Sequence, residues 1–293
     1  MRCLDLTLPT AAENLALDEA LLEQAEMAAG PMEMLRFWEP AQYMVVVGRS
    51  SRVDAEVDRD ACETLGIPVL RRVSGGAAIV TGPGCLMYSL VLGYEIRPRL
   101  RAISAAHRFV LSAIVDALTP LVAGVRFCGT SDLAIGGTGR ASGTQHVRQS
   151  LTYGAGGTQN VRPSLTYAAS VTQHVRQSLT YGAVGTQSRS AGEYKFSGNS
   201  MRCRRRHLLY HGTILYNFPL ELIARCLKVP PRMPDYRNER DHAAFVTNLP
   251  IPADAIRRAL VSAWNAEQPL DDWPRELTAS LAAGKYGDPR WNQ

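Results

Sequence analysis

The sequence predicts an α+β fold in which helices pack around a mixed sheet. Three observations lead there. Short β-rich runs recur along the chain and are interrupted by glycine turns. Helical patterns separate them rather than alternating strictly with them. The balance of 46% hydrophobic and 20% charged residues over 293 positions is that of a globular chain, long enough for one large domain or two small ones.

The elements follow in order. Thr10-Ala-Ala-Glu13 reads as a capping box, in which the hydroxyl and the carboxylate satisfy free amides at a helix start. Leu17 and Leu21 recur at helical spacing, and this helix runs to about Ala29-Gly30. MLRFW and YMVVVG are two short strands around Glu39-Pro40. Residues 56–65 read as a helix. IPVLRRVSGGAAIV reads as strand, glycine turn, strand, and Leu86 to Leu92 as a further strand. Residues 102–119 form a long helix with an apolar face. DLAIGG and HLLYHGTILYNF are strand-like, PLELIARCLKV is helical, and helices near 253–265 and 274–283 close the chain.

One segment departs from this pattern. From Gly143 the chain repeats with a period of 14, as GTQHVRQSLTYGAG, GTQNVRPSLTYAAS, VTQHVRQSLTYGAV and a partial GTQSRS. No acidic residue occurs between Asp132 and Glu193. Solenoid units are longer and carry regular apolar positions that stack. The segment therefore reads as an in-frame tandem expansion forming a mobile loop or loose hairpins.

Composition excludes several classes. No run of 18 or more apolar residues suggests a membrane span, and the start MRCLDLTLPTAAE lacks the basic and apolar regions of a secretory signal. The expected compartment is the cytoplasm. Cys3, Cys62, Cys85, Cys128, Cys203 and Cys226 form no CxxC pair, so no metal site is expected from them. A net charge of +5 suits an anionic ligand and is weak ground for nucleic acid. Lys195, Lys228 and Lys285 are the only lysines among 32 basic residues, so a lysine inside a motif stands out from its background.

Three motifs could carry chemistry. Arg71-Arg72-Val73-Ser74-Gly75-Gly76-Ala77 leads from a strand into a glycine turn, placing backbone amides and fixed positive charge together, as a phosphate or carboxylate ligand requires. Lys195-Phe196-Ser197-Gly198-Asn199-Ser200 puts a point charge before a second expected glycine turn. His211-Gly212-Thr213 sits within a strand-like run, where glycine marks a bulge or a close approach.

In this order, the three motifs resemble the lipoate–protein ligase A family of the wider biotin/lipoate ligase and octanoyltransferase superfamily. The resemblance also takes in Asn14-Leu15-Ala16-Leu17-Asp18-Glu19-Ala20, Leu35-Arg36-Phe37-Trp38, Val47-Gly48-Arg49, Ser131-Asp132-Leu133, Arg237-Asn238-Glu239-Arg240 and Val246-Thr247-Asn248-Leu249. It covers residues 1–137 and about 193–290. It implies a mixed, largely antiparallel sheet flanked by helices, as in biotin/lipoate-ligase catalytic domains. The catalytic domain would occupy 1–249, interrupted by the repeats at 138–192, with a short helical extension over 250–293.

The resemblance also implies a reaction. Ligases of this family activate lipoate with ATP and Mg2+ to lipoyl-adenylate. The acyl group then passes to a lysine of a lipoyl domain or of glycine-cleavage H protein. Lys195 matches the family's essential lysine, which would sit where negative charge grows on the leaving group. Arg71, Arg72, Ser74, Gly75, Gly76 and Ala77 match the loop lining the acyl and adenylate pocket. Asp132 matches the acid near the nucleotide, Ser197 and Gly198 continue the lysine motif, and His211, Gly212 and Thr213 match a strand bordering the pocket. The acyl chain needs an apolar tunnel, for which Trp38 and Val45 to Val47 are candidates.

The chain departs from the pattern in places. Ala77 stands where the family usually has a third glycine, and Val80-Thr81-Gly82 replaces a customary His-Asp. GRASGTQ at 139–145 echoes the lysine motif without a lysine. The accessory domain of two-domain ligases is not matched, since the chain ends at Gln293. Three alternatives therefore stay open. One is a cysteine-dependent octanoyl or lipoyl transferase using Cys128 without ATP. The second is a ligase for biotin or another acid. The third is a site-inactivated protein that binds a lipoyl domain without acylating it.

Overall fold

A computed structural model describes residues 1–136, 192–229 and 233–293. The repeats, the GRASGTQ echo and most of the proposed insertion lie outside the described residues.

The main sheet has eight strands. They are β1 (Arg2–Asp5), β2 (Met34–Trp38), β6 (Cys85–Gly93), β7 (Val125–Cys128), β8 (Asp132–Gly136), β9 (Glu193–Cys203), β10 (His207–Leu215) and β11 (Gln268–Pro269). Their order is β11-β1-β2-β6-β10-β9-β8-β7. Only the β11–β1 and β1–β2 pairs are parallel. The rest are antiparallel, giving the mixed, largely antiparallel sheet that was expected. A second sheet of β3 (Met44–Val47), β4 (Val69–Arg71) and β5 (Ile79–Thr81) is ordered β4-β3-β5.

Both faces of the central strands are buried. Met87 and Val91 of β6 enter one apolar cluster, and Leu86, Tyr88, Leu90 and Leu92 enter the other. Alternation along a strand sends successive side chains to opposite faces, so a strand covered on both sides reads as a continuous apolar run. The first cluster packs against α1 (Ala11–Met27), whose capping box at Thr10 and Glu13 forms as read. The second packs against α4 (Ile103–Leu118) and α7 (Ala253–Ala263).

The helix expected over 56–65 is instead two pieces, α2 (Val53–Glu56) and α3 (Arg59–Thr64). Val57 is extended and bridges Leu227, which follows α5 (Glu221–Cys226). Asp58 then restarts the helix by accepting the Ala61 amide at 3.0 Å. α6 (His242–Phe245) is a single turn. The closing segment contains α8 (Arg275–Leu281) and α9 (Pro289–Asn292), and α8 packs on α1 within the same compact unit. β1, β7, β9, β11, α6 and α9 are additions to the sequence reading.

Gly198 is not in a turn. It lies inside β9, opposite Asp132 of β8, and the register shifts between Leu133 and Ala134. At the far end of the same ladder Gly136 faces Glu193 directly. Among the described residues no helix is long and apolar enough to cross a membrane.

Candidate active site

Lys195 enters from β9. Its backbone oxygen accepts the Thr247 amide at 2.8 Å, which fixes the strand against the chain after α6. Its Nζ lies 2.8 Å from Oδ1 of Asp132, and the hydroxyl of Tyr236 donates to Oδ2 at 2.7 Å. Gly198 leaves room for this arrangement, because a Cβ there would stand 3.0 Å from the Lys195 Nζ. The shift in register beside Ala134 is what brings Lys195 and Asp132 to one face.

Two cavities meet at this lysine. The first, of about 200 Å³, has Leu15, Trp38, Val46 and Met87 among its apolar lining. The second, of about 160 Å³, has Ile223, Leu227, Phe245 and Val246 on its apolar side and Lys228, Arg237 and His242 on its polar side. Lys195, Gly198, Thr213 and the segment Ala77 to Ile79 line both. The indole Nε1 of Trp38 is buried and has no acceptor among the described residues.

The loop after β4 is wrapped around one guanidinium. Arg72 donates to the carbonyl oxygens of Val46 at 3.0 Å, Gly75 at 2.5 Å and Ala77 at 3.0 Å, and to Ser74 Oγ at 3.1 Å. Burial, partly offset by Glu56, lowers its pKa to about 10, so it stays charged. Gly76 has φ 87°, and its Cβ would meet Arg72 Nη2 at 2.9 Å, so a side chain there is excluded twice. Ala77 is not among the residues with positive φ, which explains why a methyl is tolerated in place of the family's glycine.

Ser74 joins the loop to the helix behind it. Its Oγ lies 2.5 Å from His211 Nε2, and His211 Nδ1 lies 3.3 Å from Asp18 Oδ2 on α1. Asp18 Oδ1 takes the Arg36 guanidinium at 2.6 Å and the Ser89 hydroxyl at 2.9 Å. Burial pushes the Asp18 carboxyl up, but Arg36 and His211 outweigh it, so the net shift is downward. An ionised Asp18 can only accept, so His211 donates to it from Nδ1.

Gly212 admits another polar group. A Cβ there would overlap Asn199 Oδ1, at 1.8 Å. Asn199 accepts from Tyr88 at 2.5 Å and donates to the Ser131 carbonyl at 2.8 Å, steadying the turn that carries Asp132.

The structure brings together Arg72, Gly76, Ala77, Asp132, Lys195, Gly198, His211, Gly212 and Thr213 around the first cavity, with Ser197 in the second. Ser74 and Gly75 stand behind the lining. Arg71 points away: it donates to the Gly48 and Ser51 carbonyls at 2.7 and 2.8 Å and to Trp291 O at 2.9 Å. Cys128 also stands apart, donating to Glu193 Oε2 at 3.4 Å. Burial and the Glu193 charge push its thiol up to about 12. None of the six cysteines lines either cavity.

Tyr236 and His242 were not singled out from sequence, and Asn199 lay inside the lysine motif without a role. Asp18 and Arg237 lay inside motifs quoted without roles. Asp18 is one of several acids on α1, with Glu13, Glu19, Glu23 and Glu26, so the sequence alone does not set it apart.

Comparison with known proteins identifies the family and the fold. The family model described as the lipoyl protein ligase A/B catalytic domain matches residues 10–261. An octanoyltransferase LipM from Exiguobacterium is 42% identical over 82 residues, covering 28% of this chain and 29% of that protein. The first curated relatives are matched over less than half of their own length. The structure of a bipartite lipoate protein ligase with its E2 lipoyl domain from Thermoplasma acidophilum superposes with a TM-score of 0.68 at 22% identity, covering 99% of this chain and 95% of that one. A lipoate-protein ligase A bound with ATP superposes with a TM-score of 0.66 at 22% identity, over 99% and 97% of the two chains. With the family model spanning most of its length, this chain belongs to the lipoyl protein ligase A/B catalytic-domain family.

Proposed function

We propose that the protein activates lipoate with ATP and transfers the lipoyl group to a lysine of a lipoyl domain or of glycine-cleavage H protein. The observation that carries this reading is that Lys195 lines both cavities. The acyl chain runs into the first, against Leu15, Trp38, Val46 and Met87. The nucleotide occupies the second, which is lined by Phe245, Lys228 and Arg237.

The reaction then takes place at the junction. A carboxylate oxygen of lipoate attacks the α-phosphorus of ATP and pyrophosphate leaves. Lys195 exchanges its contact with Asp132 for the growing negative charge on the phosphoryl and acyl oxygens. The amine of the acceptor lysine next attacks the acyl carbon, and AMP leaves. A Mg2+ ion accompanying the nucleotide would be held through phosphates and one or two carboxylates. Asp132 is the carboxylate nearest Lys195 and fits that need.

The similar Thermoplasma ligase, described together with its E2 lipoyl domain as one lipoylation system, supports a lipoyl-domain acceptor. The matches to octanoyltransferases support a second reading, transfer from an acyl donor without ATP. That route needs a nucleophile, and a Cys128 thiol pushed to about 12 and lying outside both cavities disfavours it.

The test is pyrophosphate release with lipoate, ATP and Mg2+ in the absence of acceptor. Release that survives Cys128→Ala and is lost in Lys195→Ala supports the ligase. No release from the wild type, together with octanoyl transfer from an acyl carrier, overturns it.

A further inference from the structure

Arg237 is a buried cation without an anion. It is 3% exposed, and its Nη2 is sealed from solvent with no acceptor among the described residues. Among the described residues its side chain makes one hydrogen bond, from Nε to the Arg240 carbonyl at 2.7 Å. Its guanidinium carbon lies 4.9 Å from the centre of the Phe245 ring. No carboxylate lies within ion-pair distance of it among the described residues. Burial, which is opposed by Asp241 and reinforced by Arg240, lowers its pKa.

The other buried arginines of this protein are provided for. Arg36 has Asp18 at 2.6 Å, and Arg72 has a ring of carbonyl oxygens. A charge removed from water costs several kcal/mol unless it is paired. Arg36 Nε also lacks an acceptor, but the Arg36 charge is paired with Asp18; a buried guanidinium with neither an acid nor a ring of carbonyls therefore marks a place where a partner can be supplied. Arg237 lines the second cavity, together with Lys195 and Lys228. The carboxylate lining that cavity, Glu56, is engaged by the Ala78 amide at 2.6 Å. The local balance is cationic, with planar, forked donors on one wall and an ammonium on the other.

We propose that Arg237 is a phosphoryl-binding residue, whose free guanidinium edge takes non-bridging oxygens of the nucleotide's phosphate chain. A guanidinium presents parallel N–H donors that match two oxygens of one phosphoryl group, which an ammonium cannot do. Phe245 packs on the guanidinium and the Arg240 carbonyl holds Nε, so a small shift of the side chain presents the sealed Nη2 to a ligand in the cavity. This inference rests on the ATP-dependent reading of the site.

The experiment measures thermal shift and calorimetric binding of the full chain with inorganic pyrophosphate, with ATP and with adenosine, in the absence of lipoate. The wild type is expected to bind pyrophosphate and ATP. Arg237→Gln is expected to weaken both by about tenfold or more, the loss typical of a charge-assisted hydrogen bond, while adenosine binding is unchanged. Arg237→Lys keeps the charge and loses the fork, so it should fall between the two. It also serves as the test if the glutamine variant does not fold. Pyrophosphate binding by Arg237→Gln or Arg237→Lys at wild-type affinity overturns the proposal while leaving ATP activation standing. A wild type that binds ATP but not pyrophosphate also overturns it. A wild type that binds neither overturns both.

Discussion

The ammonium of Lys195 and the carboxylate of Asp132 lie 2.8 Å apart, on neighbouring strands whose register shifts between them. The Lys195 side chain is 28% exposed, so water can replace its partner. Asp132→Asn should cost no more than about 1 kcal/mol of stability, as partly exposed ion pairs do. It should lower lipoate activation by about tenfold or more, because the lysine loses its fixed direction. Urea unfolding and pyrophosphate release read the two effects separately.

Asp18 and Arg36 behave differently, being 4% and 0% exposed at their side chains. Asp18→Ala leaves a fully buried guanidinium without its acid and should cost about 3–5 kcal/mol in denaturant unfolding. The pH dependence has a definite sign. The Asp18 carboxyl is lowered in the folded protein, so its contribution is complete above the usual carboxylate value of 3.8 and fades as pH falls below it. Asp18→Asn should therefore flatten the acid limb of the stability curve below that value and leave its slope near neutrality unchanged.

Gly212→Ala tests the Asn199 contact. The new methyl would overlap Oδ1 at 1.8 Å and must displace an amide held by Tyr88 and Ser131. The expected loss is about 1–3 kcal/mol of stability, the usual effect of overpacking. Activity should fall as well, because the turn carrying Asp132 loses its support. Gly75→Ala is the control, since nothing lies within 4 Å of a Cβ there.

Cys128 should be inert. With its thiol pushed up to about 12, alkylation at pH 8 should leave it unmodified in the folded protein, whereas exposed Cys203 reacts. Peptide mass spectrometry after timed iodoacetamide treatment distinguishes the two. Cys128→Ala should keep full activity in the assay that Lys195→Ala fails.

Much of this arrangement was legible in the sequence because the motifs are local. The capping box at Thr10 and Glu13, the strands around Trp38 and the run from His207 each obey their own short-range pattern. What was not legible depends on residues brought together from afar. Arg71 and Arg72 are adjacent, yet alternation along β4 sends one to the chain terminus and the other into the loop. The glycine of the lysine motif looked like a turn residue, but Asp132 opposite it and the shifted ladder keep it in a strand. Tyr236 carries no local mark; only the fold places its hydroxyl on Asp132.

The facing of Gly136 and Glu193 across one rung has a genetic consequence. Two residues so placed can be joined by a two-residue turn, so a chain with Asn-Gly in place of 137–192 is expected to close the same ladder. Closure entropy rises only with the logarithm of loop length, about 0.6 kcal/mol per doubling. Gain or loss of whole 14-residue units should therefore be nearly neutral for folding, and natural alleles should differ in copy number at this point while the two flanking strands stay fixed. A variant with Asn-Gly in place of 137–192 that melts within a few degrees of the parent would mark the locus as a length polymorphism riding on a conserved hairpin.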